Sequence, residues 1–338
     1  MKRQKKQNLQ AFLFVIPALI ILGLFVFYPL VKNVIYSFQS FGLSDVEKEW
    51  VGLENYRKLF SDKTIPISLK NNLRYAIVSI ICQVGLGLVI AAVLEDVVFK
   101  KISPFFRSVY FIPTLISMTV VCLLFDFIYN PQMGLLNSFL KNIGLGKFAK
   151  IWLGNKKTAM YSVIAVSQWQ SLGYIVMLFI VAIQKIPEDL YEAATVDGAG
   201  KLKRFFYITV PQVRSMFFVT MILTVVGAFT VFNEPYILTS GGPGTATMVL
   251  SLHMYQTGFV KNNMGYASAI AMLIFVITAV LSSVQFFSFG SDEEDNYEQT
   301  KNKKEKSLWT RRDHLDRSTG FTGSHYPVSP FLDHHVIV

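Results

Sequence analysis

Six long apolar runs limit what this chain can fold into more than any other feature: about residues 9–31, 73–94, 108–129, 159–183, 215–238 and 266–289. Each is about 22 to 25 residues long, and at about 1.5 Å of rise per residue such a helix crosses about 30 Å of hydrocarbon. No water is present there to satisfy backbone N–H and C=O groups, so runs of this length are expected to be helical. The expected fold class is therefore an all-α polytopic membrane protein with about six transmembrane helices and both ends on one side. A composition of 52% hydrophobic and 16% charged residues agrees, and it sets aside a soluble two-domain reading.

Charge placement orients the spans. Residues 1–8 carry Lys2, Arg3, Lys5 and Lys6 with no acid, which marks a cytosolic basic amino terminus. The run that follows exceeds the apolar core of a secretory signal and no small-residue cleavage site succeeds it, so it is expected to stay as a span. Residues 9–290 then form the six-span domain. Residues 291–338 turn acidic, then basic, then lose all periodicity, and are expected to be a disordered cytosolic tail. With this orientation nineteen of the 32 Lys and Arg lie inside and thirteen outside. The outward segment holding Lys141, Lys147, Lys150, Lys156 and Lys157 runs against the positive-inside rule. The net charge of +10 is spread over loops and tails with no aromatic-interleaved patch, so no nucleic-acid partner is expected.

Between the fourth and fifth runs lies a polar interruption, residues 187–211, too polar for lipid yet helical in pattern. Pro187, Glu188 and Asp189 suit a helix start, and Asp197-Gly198 suits its stop. A second helix is expected from about Lys201 to Val210, with Pro211 ending it. Two short helices at a sharp angle would form a knob on the membrane surface.

This stretch resembles the EAA loop of permease subunits of binding-protein-dependent ABC importers, through Glu192, Ala193, Ala194, Asp197, Gly198, Ala199, Phe205, Ile208 and Pro211. In that family the loop docks into a groove on a separate ATPase subunit, so the resemblance implies a cytosolic two-helix coupling loop. It also implies that Glu192 pairs with a cation of the ATPase, that the small residues permit close approach, and that Phe205 and Ile208 anchor the knob against the spans.

Polar residues within the runs are the other informative feature, since a charged, unpaired one costs about 2.5–3.5 kcal/mol near the midplane. Gln168, Trp169 and Gln170 in the fourth run, and Asn233, Glu234 and Tyr236 late in the fifth, form the strongest group. Aromatic faces stack on the C–H faces of a sugar and amides or carboxylates bond its hydroxyls, so the group suits a carbohydrate pathway. Simple packing of Trp169, and a Glu234 that reaches water near the outer end, fit the same residues. The sequence Phe232-x5-Leu238-Thr239-x-Gly241-Gly242-Pro243-x3-Thr247, with Gly52-Leu53-Glu54-Asn55-Tyr56 and Gly265-Tyr266-Ala267-Ser268-Ala269, is similar to carbohydrate-uptake permeases of the maltose-transporter type. Gly241, Gly242 and Pro243 also read as a tight turn on the binding-protein side.

The resemblance implies a multi-pass subunit in a bacterial or archaeal-type plasma (inner) membrane, moving a sugar or oligosaccharide by alternating access. Its implied partners are a second homologous permease, two ATP-binding subunits and an extracellular substrate-binding protein. Glycerol phosphate or polyol cargo fits the same class. A secondary transporter is the rival class, but it needs paired intramembrane charges that the runs scarcely offer. Gly144-Leu145-Gly146-Lys147-Phe148 lacks the first glycine and the Ser or Thr of a phosphate-binding loop, and no metalloprotease motif or nucleophile elbow occurs. The chain is thus expected not to be an enzyme, to need no cofactor or metal, and to leave ATP hydrolysis to another subunit. Cys82 and Cys122 fall inside apolar runs and read as free thiols. A reporter fused after Gly200 is expected to behave as cytosolic; export of that fusion would overturn the orientation.

Overall fold

The structure of the chain is a computed structural model that describes residues 2–96, 99 and 101–288. The chain divides into two units, Met1–Gln285 and Phe286–Val338, and the features below lie in the first. The tail expected from residue 291, including its histidines, falls outside the described residues.

The fold is all-α, with one two-residue strand pair, Gln39–Ser40 against Glu49–Trp50, in the loop after the first span. Among the described residues, four helices are long and apolar enough to cross a membrane: Phe12–Tyr36, Thr64–Glu95, Ala159–Ile183 and Met264–Ser288, the last running three residues past the first unit. Two helix pairs pass that test only together, Ser103–Leu115 with Met118–Tyr129 and Lys201–Gln212 with Arg214–Thr230, bent by 98° and 71°. Counting each pair as one span brings the total to six. The third span is therefore sharply broken, and the second begins at Thr64, before its apolar run does.

The break in the third span has a local cause. Pro113 sits in a 3-10 turn, Ile112–Leu115, and Ile116 and Ser117 then turn extended. A break inside hydrocarbon leaves backbone groups without helical partners. Gln170 Nε2 of the fourth span donates to the Ile116 carbonyl at 3.0 Å, and Thr114 Oγ1 donates to the Gln170 carbonyl at 2.9 Å. Gly173 makes the contact close, because a Cβ there would run into the Tyr110 carbonyl oxygen.

The fifth span also ends early. Its helix stops at Thr230, Val231 is extended, and a separate helix, Asn233–Thr239, follows and ends at left-handed Ser240. Apolar Val231 and Phe232 hide this break from hydropathy. Asn233, Glu234 and Tyr236 accordingly stand on their own short helix rather than on a continuous span. After the turn at Gly241, Gly242 and Pro243, the chain re-enters the core as a helix, Leu250–Tyr255, extended by a π-helical segment, Gln256–Val260. Leu250 and Leu252 are fully buried there.

Two buried asparagines at the head of the second span hold that return. Asn72 Nδ2 donates to the Ala228 carbonyl at 2.7 Å, and its Oδ1 accepts from the Leu250 N–H at 3.0 Å. Asn71 Nδ2 reaches the Met248 carbonyl at 2.9 Å. Farther along the same helix Gly87 and Ala91 bring the second span against the fourth, where a Cβ at Gly87 would touch Ile175 at 3.3 Å. Gly85 meets nothing beyond its own helix turn, so the small face is narrower than the sequence pattern. Both cysteines are free, Cys122 buried and Cys82 half-buried.

A third tie joins Asp62 in the loop before the second span to the returning helix and the last span. Asp62 accepts from Tyr266 Oη at 2.9 Å, from the Thr64 N–H at 2.7 Å, and lies 2.8 Å from His253 Nε2. Burial pushes this carboxyl up, but the Thr64 N–H, His253 and Tyr266 outweigh it and hold its pKa down from an ordinary 3.8 to about 2. A depressed value means that the stabilisation is complete at neutral pH and is lost as pH falls through about 4 toward 2. Asp62→Asn is expected to lose about 2 kcal/mol at pH 7 and to flatten this acid limb. Thermal unfolding of the purified protein across that pH range checks both, and an unchanged acid limb would count against the tie.

Candidate functional site

A cavity of about 380 Å³ opens within the bundle between the second, third, fourth and fifth spans and the short helix after the fifth. The second span contributes Tyr75, Ser79 and Gln83, four residues apart and so on one helix face. The fourth contributes Ser167, Ser171 and Tyr174 at the same kind of spacing. Thr224, Gly227 and Val231 close one side, and Asn233 with Glu234 closes the end. Glu234 is buried, and Tyr75 Oη donates to its carboxylate at 3.0 Å. That geometry sets aside the alternative in which Glu234 simply reaches water. Thr224 borders the cavity, but its Oγ1 is itself buried and has no protein partner.

The structure places the six polar residues singled out in the sequence in different ways. Asn233 and Glu234 line the cavity. Gln168 stands behind it and donates to Ser79 Oγ at 3.0 Å. Gln170 serves the break in the third span, Trp169 packs edge-on against Phe125 with centroids 5.4 Å apart, and Tyr236 stacks on Phe232. Tyr75, Ser79, Gln83, Ser167, Ser171, Tyr174 and Thr224 were not singled out. Their signal is there in the sequence, as polar positions recurring every three or four residues inside otherwise apolar runs.

A second cavity, also about 380 Å³, lies beside the glycine turn and is lined by Asp126, Tyr129, Asn130, Gly154, Thr239, Gly242 and Pro243. Asp126 is exposed there. The turn is internally braced, since Thr239 and Thr247 share a 2.7 Å hydroxyl contact and Thr247 donates to the Gly242 carbonyl at 3.0 Å.

At the other end of the fifth span stands the knob. Its first helix is Glu188–Val196, preceded by Pro187 and followed by Asp197 and Gly198 at φ +74°. The Ala199 N–H reaches back to the Ala194 carbonyl at 2.8 Å and the Gly198 N–H to that of Thr195 at 3.1 Å, a Schellman closure that needs the left-handed residue. The second helix, Lys201–Gln212, runs one residue beyond Pro211, which sits in the opening turn of its last segment instead of ending it. Phe205 and Ile208 pack with Tyr191 against the buried cluster of the second and fourth spans, and Tyr191 Oη meets Thr209 Oγ1 at 2.9 Å. Glu192, Ala193, Asp197 and Gly198 are exposed, with Ala194 and Ala199 half-buried. The span ends beside the knob are tied by Glu95, which pairs with Arg107 and accepts from Gln184, and by Lys201 on Asp96 at 3.1 Å.

Membrane-spanning helices around a mainly apolar cavity that carries several polar side chains, with a two-helix knob at one end, suit a membrane transport subunit. Similarity to known proteins makes this specific. Residues 74–288 match the family described as binding-protein-dependent transport system inner membrane component, and the chain belongs to that family. It is 56% identical over 284 residues to a probable ABC transporter permease protein, YurN, of Bacillus subtilis (strain 168), covering 83% of this chain and 97% of that one. It is 31% identical over 284 residues to the arabinooligosaccharides transport system permease protein AraP of the same organism, covering 83% and 88%. A crystal structure of a bacterial alginate ABC transporter in complex with an alginate pentasaccharide-bound periplasmic protein shares the fold at a TM-score of 0.74 and 20% identity, covering 84% of this chain and 95% of that one.

Gly227 faces the cavity with nothing within 4 Å of a Cβ placed on it. Gly227→Leu is therefore expected to fill the cavity without unfolding the bundle. Slower modification of a cysteine introduced as Ser171→Cys, at unchanged thermal stability, is the outcome that checks this.

Proposed function

We propose that this chain is the permease subunit of an ATP-driven importer that passes a sugar or oligosaccharide through the cavity beside Glu234 by alternating access. The observation that carries the reading is the family membership combined with a cavity inside the spans whose wall carries Tyr75, Asn233 and Glu234. Carbohydrate cargo draws support from relatives whose names state oligosaccharide transport and from the chemistry of the wall. Tyr75, Ser171, Asn233 and Glu234 offer hydroxyl, amide and carboxylate groups that suit sugar hydroxyls, beside Tyr174.

In this reading both termini and the knob face the cytosol. A second homologous permease completes the pathway, two ATPase subunits receive the knob, and a binding protein outside delivers cargo near Gly241, Gly242 and Pro243. Glu192, Ala193, Ala194, Asp197, Gly198 and Ala199 present the docking face, and Phe205, Ile208 and Pro211 belong to the helix that joins it to the spans. Because Phe205 and Ile208 pack on the second and fourth spans, a push on the knob reaches the helices that carry Tyr75, Ser79, Ser167 and Ser171. ATP hydrolysis belongs to the partner subunits, so purification through a tag on this chain is expected to bring an ATPase with it.

Gly198→Trp is expected to leave membrane insertion and abundance intact while uptake falls and ATP hydrolysis by the purified complex no longer responds to loaded binding protein. The surrounding space is open, and the strain of a side chain at its left-handed φ falls on the closure of the knob's first helix, away from the cavity. Normal uptake by that variant would remove the mechanical role of the knob.

A further inference from the structure

The outward lysines between the third and fourth spans contradict the positive-inside rule, and the function proposed above makes no use of them. Residues 131–158 contain Lys141, Lys147, Lys150, Lys156 and Lys157 and no Asp or Glu, and all five lysines are exposed. The segment is also built rather than loose. Asn137, 4% exposed, accepts from Trp152 Nε1 at 2.8 Å and donates to the Lys150 carbonyl at 3.0 Å. Leu136, Trp152 and Leu153 pack on a buried cluster with Tyr129 and Val163. These ties fix the helix Leu135–Asn142 against the bundle by one side.

Its other side is left outside. Leu135, Phe139 and Ile143, four residues apart and so on one face, are 70%, 60% and 51% exposed. Met133, Phe148 and Ile151 are exposed as well. The element is tethered between Tyr129 and Ala159, the adjoining ends of two membrane helices, which keeps it near the bilayer surface. An outward apolar helix side, joined to exposed cations with no acid (Lys141 on the helix and the other four in the chain just after it), is the combination that suits the headgroup region of an anionic membrane. A delivery protein that must dock and leave each cycle calls for a more polar face, as transient interfaces have.

We infer that residues 131–158 form a surface plate that seats Leu135, Phe139 and Ile143 at the acyl boundary of the outer leaflet and binds anionic phospholipid headgroups through its five lysines. The plate would fix the height of the cavity mouth at Asp126, Gly242 and Pro243 relative to the membrane. The lysines then oppose no rule, because a folded plate holds them against lipid outside. This inference depends on the spans crossing a bilayer and not on the identity of the cargo.

The test uses the full chain with the subunits that purify with it. Phe139→Cys, made with Cys82→Ala and Cys122→Ala, is spin-labelled and placed in nanodiscs of phosphatidylcholine with or without phosphatidylglycerol. The label is expected to be more accessible to oxygen than to a water-soluble nickel chelate, with a larger preference when phosphatidylglycerol is present. Replacing all five lysines with Gln is expected to abolish that lipid-dependent gain and leave the phosphatidylcholine value unchanged. A nickel preference in both lipids would overturn the inference. So would a label shielded from both reagents only when binding protein is added, which would make the plate a protein dock.

Discussion

Any helix that breaks inside hydrocarbon strands N–H and C=O groups, and this structure depends on how those groups are met. The chain breaks its third span at Pro113 and its fifth at Val231, and it sends a further helix back into the bundle at Leu250. At each place an amide side chain from another element answers: Gln170 for the third span, Asn72 for the fifth span and the returning helix. Asn55 does the same where the first span ends, donating to the carbonyls of Ser37 and Gln39 at 3.0 and 2.9 Å. Leaving such a group unmet costs about 1–3 kcal/mol, so these few residues decide where irregular backbone is tolerated.

Those breaks make the cavity. Six straight, uniformly apolar helices would pack side against side with little room between them. Ending the fifth helix at Thr230 and restarting at Asn233 turns Glu234 inward to Tyr75, and bending the third span brings Met118 to the wall. The fourth span is the common partner: it carries part of the cavity wall and answers the third-span break. At its other end it shares a packed cluster with Phe205 and Ile208 of the knob. One rigid helix thus joins the place where cargo would sit to the place where force would enter.

Much of the arrangement was legible from residue order. The unbroken first, fourth and sixth runs, the Pro187 start and Asp197-Gly198 stop of the knob's first helix, and the reversal at Gly241–Pro243 all express local rules, and the structure places them where those rules say. Polar residues inside the runs were harder to assign. Gln168, Trp169 and Gln170 are consecutive and so point in three directions on a helix, and no more than one face of three can meet a given cavity. Here the cavity takes Ser167 and Ser171 instead, while Gln170 faces the broken third span. Asn55 was legible as part of a motif, but its work, closing the end of the first span, was not.

Length and hydrophobicity decided by themselves that this chain spans a membrane as α-helices, because apolar runs of this size have no other way to satisfy their backbone in lipid. The knob's shape was likewise settled locally, by proline, acidic and glycine positions acting within a few residues. Tertiary structure alone decided which spans are broken, which polar groups share a cavity and which serve as braces. Those outcomes depend on a partner more than fifty residues away supplying a hydrogen bond, as Gln170 does for Ile116 and Asn72 for Ala228. Hydropathy along a chain carries no record of such a meeting.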